Sequence, residues 1–291
     1  MLKLEDWIPG KYWQTLRMGE RLYGLIFVNM GTQRKPSMQV SVFSRKPLAA
    51  KELEPVRNEI AYRFELDKDL HEFNALARRD RRFFPVFRKW TGMRNAAQFN
   101  LYELLVVGLV LQNATVRRSS QMLDALLKKF GMTVAFGGKT LHAIWLPERL
   151  RHVSEDDLRA LKIGYRAKFL KRLSRDFVEK TVDEIALRSA TEEAAKQTLM
   201  ALYGVGPETA RILLFEALHH DGTFDHITPW QQKIYSRLFY GKRLVPVQKI
   251  SRDIKWCYGK YAMLAVHYIW EDVFWRRKHE HIPWLEKEIR L

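Results

Sequence analysis

Between Leu202 and Phe239 the sequence reads LYGVGPETARILLFEALHHDGTFDHITPWQQKIYSRLF. Two acids in this stretch, Glu208 and Asp225, are of the type that stabilises a developing positive charge or orients an attacking water. Just ahead of them, Gly204 and Gly206 flank Val205, a pattern that lets the backbone take φ > 0 and approach another group closely. Gly206 at a cap position and Pro207 at the first helical position make a good helix start, and amides exposed there suit an anion such as a phosphate. A second start follows at Thr228-Pro229-Trp230-Gln231, with a threonine cap, proline at the first position and glutamine three residues on. Each residue also has a plain structural role. Glu208 suits the positive end of a helix dipole, Asp225 suits a turn, and the two glycines suit a bend between core helices.

The order L-x-G-V-G-x-x-T-A, an apolar helix, then an acidic loop opening another helix resembles the helix-hairpin-helix (HhH-GPD) superfamily of DNA glycosylases. The layout is most similar to the 3-methyladenine DNA glycosylase II type. This resemblance implies that the hairpin at Gly204, Val205, Gly206 and Thr209 grips DNA, and that an aspartate past the next helix serves a flipped-out nucleotide. In bifunctional members a lysine precedes the T-A pair and forms a Schiff base. Here that position is Glu208, ahead of Thr209-Ala210, so a monofunctional enzyme without lysine-dependent lyase activity is expected. Asp225 lies 17 positions beyond Glu208 (225 − 208) and Thr228 lies 20 (228 − 208), both near the family's interval. Aligned through Ile234 to Leu238, Thr228 takes the aspartate's place, and a hydroxyl caps a helix without supplying charge. Three readings stay open: Asp225 from a shifted loop, Glu208, or a chain that binds DNA without cleaving the bond.

The elements that must position these residues read as follows. Leu22 to Asn29, Met38 to Phe43 and Ile60 to Leu66 alternate as β-strands, and Asp69 to Arg78 reads as helix. This predicts a small α+β unit, with a domain boundary at 94/95 after the turn Gly92-Met93-Arg94. Arg78 to Arg94 is the densest basic and aromatic stretch, and Phe83, Phe84 and Phe87 are expected to turn into the core. From Asn95 to the end nearly everything reads as helix, with the hairpin at 191–219. Leu104 to Leu111 is apolar on all sides, as a central helix would be. It ends at Gln112, which the resemblance makes a candidate for filling the gap left by an extruded base; the plain alternative is a helix-end cap. Capping boxes are read at Ser154–Asp157 and at Thr181 with Glu184, and Thr191 is expected to cap the hairpin's first helix. Leu161 to Arg175 turns at Gly164, and its Lys168 and Lys171 are candidate phosphate contacts. Trp256 to Trp275 reads as one aromatic helix packed in the core. Tyr165 and Trp230 are candidate pocket aromatics. The expected fold is mainly α: a two-lobed HhH-GPD helical bundle plus a small antiparallel β-sheet domain.

Bulk properties agree with a polyanionic partner. Lysine and arginine number 50 against 33 acids, giving a net charge of +17. No apolar run reaches the roughly 18 residues of a spanning helix, and no signal-peptide pattern opens the chain, so an intracellular, DNA-associated protein is expected. With one cysteine, Cys257, neither an intrachain disulfide nor a four-cysteine iron–sulfur cluster can form. No P-loop or dinucleotide fingerprint is present, and His219-His220 and His279/His281 lack partners at metal-ligand spacing. No metal and no organic cofactor are expected, although the resemblance implies a monovalent cation held by hairpin carbonyls. The expected partner is double-stranded DNA carrying a damaged base, bound by a monomer. An alkylated purine fits best, because a cationic base favours aromatic stacking. The rival is a non-catalytic relative that binds distorted duplex.

Overall fold

The computed structural model describes residues 2–33 and 35–289. The chain divides into two compact units that interleave in sequence, residues 1–63 with 97–213 and residues 64–96 with 214–291. The units therefore cut across the contiguous division at 94/95. The N-terminal sheet joins the segment that carries the hairpin, and residues 64–96 join the C-terminal helices.

In the first unit, β1 (Glu5–Ile8), β2 (Lys11–Met18), β3 (Arg21–Asn29) and β4 (Met38–Phe43) form one antiparallel meander. A second hairpin, β5 (Met132–Phe136) and β6 (Lys139–Ala143), packs on it through Trp13, Ile26, Phe136 and Leu141. This hairpin is an exception to the nearly all-helical reading beyond Asn95. Its turn is Gly137-Gly138 with φ of +55° and +76°, and two consecutive positive-φ residues are what a tight two-residue hairpin requires. Ile60 to Leu66 is likewise not a strand, because its start closes the helix Ala50–Arg63. Val56 and Ile60 are buried four residues apart, and Arg63 pairs with Glu59 at 2.7 Å, the helical i, i+4 contact. The apolar helix Leu101–Leu111 is central as read, and is started by an Asn100–Glu103 capping box. Arg17 crosses from the sheet to reach Glu103 at 3.4 Å and the Ile144 carbonyl at 2.7 Å, both buried.

In the second unit an aromatic core gathers Phe73, Phe83, Phe87, Tyr258 and Tyr268. Phe84 does not join it and is 38% exposed, because Phe83 and Phe87 already supply the inward i, i+4 pair. The run from Trp256 to Trp275 is two helices, Val247–Tyr258 and Ala262–His279. Gly259, at φ +50°, breaks them. Trp256 is exposed and Trp275 partly so, so this run is not packed along its whole length. The cap after Lys180 is Asp183, whose carboxylate accepts from the Ile185 and Ala186 amides at 2.9 and 3.2 Å. Thr181 instead donates to the Asp176 carbonyl at 2.8 Å. Among the described residues no helix is long and apolar enough to cross a membrane.

Candidate nucleic-acid interface and candidate acid

Three segments of the first unit meet around the hairpin. The first is the hairpin turn itself, between the helices Glu192–Ala201 and Pro207–Glu216. Thr191 caps the first of these, accepting from the Ala194 amide at 3.3 Å. Gly204 takes φ +92°, and a Cβ there would stand 2.7 Å from Phe169 Cδ2, so both backbone and space require glycine. Gly206 differs. Its φ is not in the left-handed region, and a Cβ would meet nothing within 4 Å. Val205 is buried and its amide donates to the Leu202 carbonyl at 3.1 Å. The hairpin residues expected to grip DNA are therefore not equivalent. Val205 spends its N–H inside the turn, whereas the exposed Gly206 amide has no acceptor among the described residues.

The second segment follows the central helix. Gln112 Nε2 donates to the Gly204 carbonyl at 2.8 Å, and its own carbonyl accepts from Arg166, whose Nε also donates to Leu109 at 3.1 Å. Gln112 is thus a brace between helix end and hairpin. Its neighbour Asn113 is exposed at φ +48°, with Nδ2 3.3 Å from the Tyr165 hydroxyl. Thr115 caps the next helix, Val116–Phe130. Asn113 is not among the residues singled out from the sequence. The signal available was the tolerance of asparagine for φ > 0 between two helices.

The third segment is the turn at Gly164 into the helix Arg166–Val178. Phe169 sits edge-on to Tyr165 and Tyr203, at 5.2 and 5.0 Å. The Lys168 ammonium and the Arg172 guanidinium lie 5.4 and 4.0 Å from the Tyr203 ring. Both cations therefore flank the hairpin turn. Lys171 does not join them, because its ammonium donates to the Val153 and Arg151 carbonyls. Glu208 is held in a two-pronged pair with Arg211, at 2.6 and 3.1 Å. The Arg211 side chain is only 5% exposed, so drawing Glu208 into chemistry would withdraw the carboxylate from a buried guanidinium, a costly change. Thr209 is half-buried beside this pair in sequence.

The second unit carries the other candidates. The loop 219–228 starts where His219, at φ +59°, closes the preceding helix. The Lys68 ammonium holds that start, 2.5 Å from both Asp221 and Glu65. Burial pushes both carboxyls upward from the ordinary range, and Lys68 opposes the shift. The Met263 amide donates to the Asp221 carbonyl at 2.6 Å. Farther along, Phe224 and Ile227 are buried while Asp225 and His226 point outward and are exposed. Thr228 occupies the cap position as read, and its amide and hydroxyl both donate to Gln231 Oε1, at 2.9 and 3.0 Å. Trp230, 40% exposed, lies 4.9 Å from Trp270, whose indole donates to the Tyr235 hydroxyl at 2.6 Å. Next in sequence to Trp270, the Glu271 carboxyl is raised by burial. Among the described residues no group of three His, Cys, Asp or Glu is placed to hold a metal ion.

A braced glycine hairpin within a helical fold that begins with an antiparallel sheet defines the class. The fold is that of the helix-hairpin-helix DNA glycosylases. Its likeness to the 3-methyladenine DNA glycosylase of Archaeoglobus fulgidus extends over 96% of this chain and 91% of that one, with a TM-score of 0.76 at 16% identity. In sequence the chain is 23% identical over 206 residues to a probable N-glycosylase/DNA lyase of Methanothermobacter thermautotrophicus, covering 64% of this chain and 65% of the relative. It is 25% identical over 162 residues to the DNA-3-methyladenine glycosylase of Bacillus subtilis, covering 55% and 54%. The chain thus spans between about half and two thirds of the length of these relatives. No protein-family model matches it.

Proposed function

We propose that this chain is a monofunctional DNA glycosylase of base-excision repair that hydrolyses the N-glycosidic bond of a flipped-out, alkylated base. The observation that carries the reading is Gly206. Neither its φ nor a neighbouring group of the protein demands a glycine; close approach of an external strand to its amide, at a helix start, does. Lys168 and Arg172 beside Tyr203 supply the positive charge for the same strand. The damaged partner is recognised because unstacking a damaged base costs less than unstacking a sound one. Asn113, at its exposed turn, is the residue we assign to the gap the base leaves, with Gln112 holding the turn.

In the bond-breaking step the C1′–N electrons leave with the base, and the sugar becomes an oxocarbenium-like cation. Asp225 stabilises that charge and orients the water that adds at C1′ and gives up a proton. An alkylated purine already carries positive charge and departs neutral, so the step needs no proton donor to the base. Trp230 and Trp270 offer faces on which such a cation stacks. Glu208 stands where lyases of this fold have their lysine, and a carboxylate paired with Arg211 forms no Schiff base. A monovalent cation at the hairpin belongs to the same proposal. The Leu202 and Gly204 carbonyls each keep a lone pair after accepting from the Val205 amide and Gln112.

Duplexes with single lesions, incubated with the protein and scored with and without alkali, test this. Breaks are expected only after alkali, lost in Asp225→Asn and kept in Glu208→Gln. One observation favours a second reading, a DNA-binding protein without activity: Thr228, not an acid, occupies the helix cap. Tight, salt-dependent binding of lesion duplex with no base released would establish it and remove the first.

A further inference from the structure

Outside the residues discussed so far, the second unit contains a cavity of about 560 Å³ walled by Lys233, Arg237, Arg243, Trp284, Lys287 and Glu288. Four cations face one carboxylate there. Among the described residues only Lys233 has an acidic neighbour, Glu288 at 3.6 Å, and Arg243 and Lys287 have none. The Arg237 guanidinium lies 5.4 Å from the Trp284 ring, which covers that indole face. The walls are pinned. Gly241, at φ +61°, ends the helix Pro229–Tyr240, and the Lys242 amide returns to the Ser236 carbonyl at 3.1 Å. The Val245 amide donates to Ser236 Oγ at 2.8 Å, and Gln232 Nε2 donates to the Val245 carbonyl at 2.7 Å. This fixes the turn that bears Arg243. Across the cavity the short helix Pro283–Glu288 is anchored by buried Leu285 and by Arg277, which donates to the Ile289 carbonyl at 2.8 Å.

Like charges gathered on a fixed backbone frame raise the local positive potential and favour an anion between them. Two guanidinium forks and two ammonium groups match phosphate oxygens. The volume lies within the roughly 300–1,000 Å³ of ligand sites, more than one phosphate fills. We propose that this cavity is a binding site for a phosphate-ester anion carrying two or more charged groups, drawn either from DNA backbone beyond the lesion or from a free oligophosphate. The site stands independently of the proposed activity.

Tripolyphosphate titrated into the full chain by calorimetry is the test, with Arg237→Gln/Arg243→Gln as the variant. Both side chains are exposed, so the melting temperature should hold, and loss of two charge-assisted contacts should weaken binding about tenfold or more. Salt dependence of duplex binding separates the sources. If DNA backbone is the ligand, the variant lowers the log–log slope by about 2 on a long duplex but not on a short one, and tripolyphosphate competes. If a free oligophosphate is the ligand, the slopes are unchanged while the calorimetric signal is lost. The proposal is overturned if millimolar tripolyphosphate gives no signal, if the variant binds it as well as the parent, or if polyglutamate alone binds in a variant-sensitive way.

Discussion

Replacing Gly204 with alanine probes the hairpin most directly. At φ +92° an alanine pays roughly 1–2 kcal/mol for left-handed backbone. Its Cβ would also lie 2.7, 3.0 and 3.1 Å from Phe169 Cδ2, Cε2 and Cγ. That ring cannot simply swing aside, because Tyr165 and Tyr203 hold it edge-on from two directions. Overpacking of this kind costs about 1–3 kcal/mol. If the turn yields before the whole unit does, the combined strain of about 2–5 kcal/mol falls on the loop that presents the Gly206 amide. Even the lower bound is about 30-fold in Kd. Fluorescence anisotropy with a duplex carrying a non-cleavable abasic analogue, at one fixed salt concentration, measures it. Adding Phe169→Leu removes the overlap but not the backbone strain, so the pair should couple by about 1 kcal/mol or more. Wild-type affinity in Gly204→Ala, or strictly additive effects in the pair, would refute the reasoning.

Three further outcomes follow from contacts within the first unit. Against the cost of partial burial, Arg188 and Arg63 beside the half-buried Glu59 carboxylate hold it down at about 2. A depressed folded value means stability that is present above the unfolded value near 4.5 and lost as pH falls toward 2. Glu59→Gln should therefore cost about 2–3 kcal/mol at neutral pH, and the gap to the parent should close on acidification to pH 2; a gap constant with pH in urea unfolding would contradict this. Gln112→Ala should loosen the hairpin, costing about 1 kcal/mol of stability and weakening binding to sound and damaged duplex alike. Asn113→Gly, which keeps the backbone free to hold φ +48°, should leave stability nearly intact and weaken only the lesion or abasic duplex. The opposite assignment of the two effects in melting and anisotropy assays would exchange their roles.

What could be read from the chain alone divides by the range of the interaction. Caps at Ser154 and Thr191 and the helix start at Thr228-Pro229 depend on residues within four positions of each other, and they stand as read; strands β3 and β4 stand as well, legible from their alternation although their ladder joins residues as distant as Gly24 and Phe43. The Glu208–Arg211 pair is equally local, at i, i+3, but spacing alone does not tell a paired acid from one free for chemistry. Ile60 to Leu66 failed for another reason. An alternating run also contains i, i+4 pairs, and only the fold, with Val56 and Ile60 both buried, chooses between the periods. Lys168 and Lys171 make the general point. They share one helix and one residue type, three positions apart. One flanks Tyr203 because the hairpin packs there, and the other is consumed by carbonyls of residues 151 and 153, an association no spacing rule contains. Gln112 and Asn113 repeat it within two adjacent residues. The side chain that reaches the hairpin is fixed by where Gly204 turns its carbonyl, so which amide is left outward is a property of the packed turn, not of either amino acid.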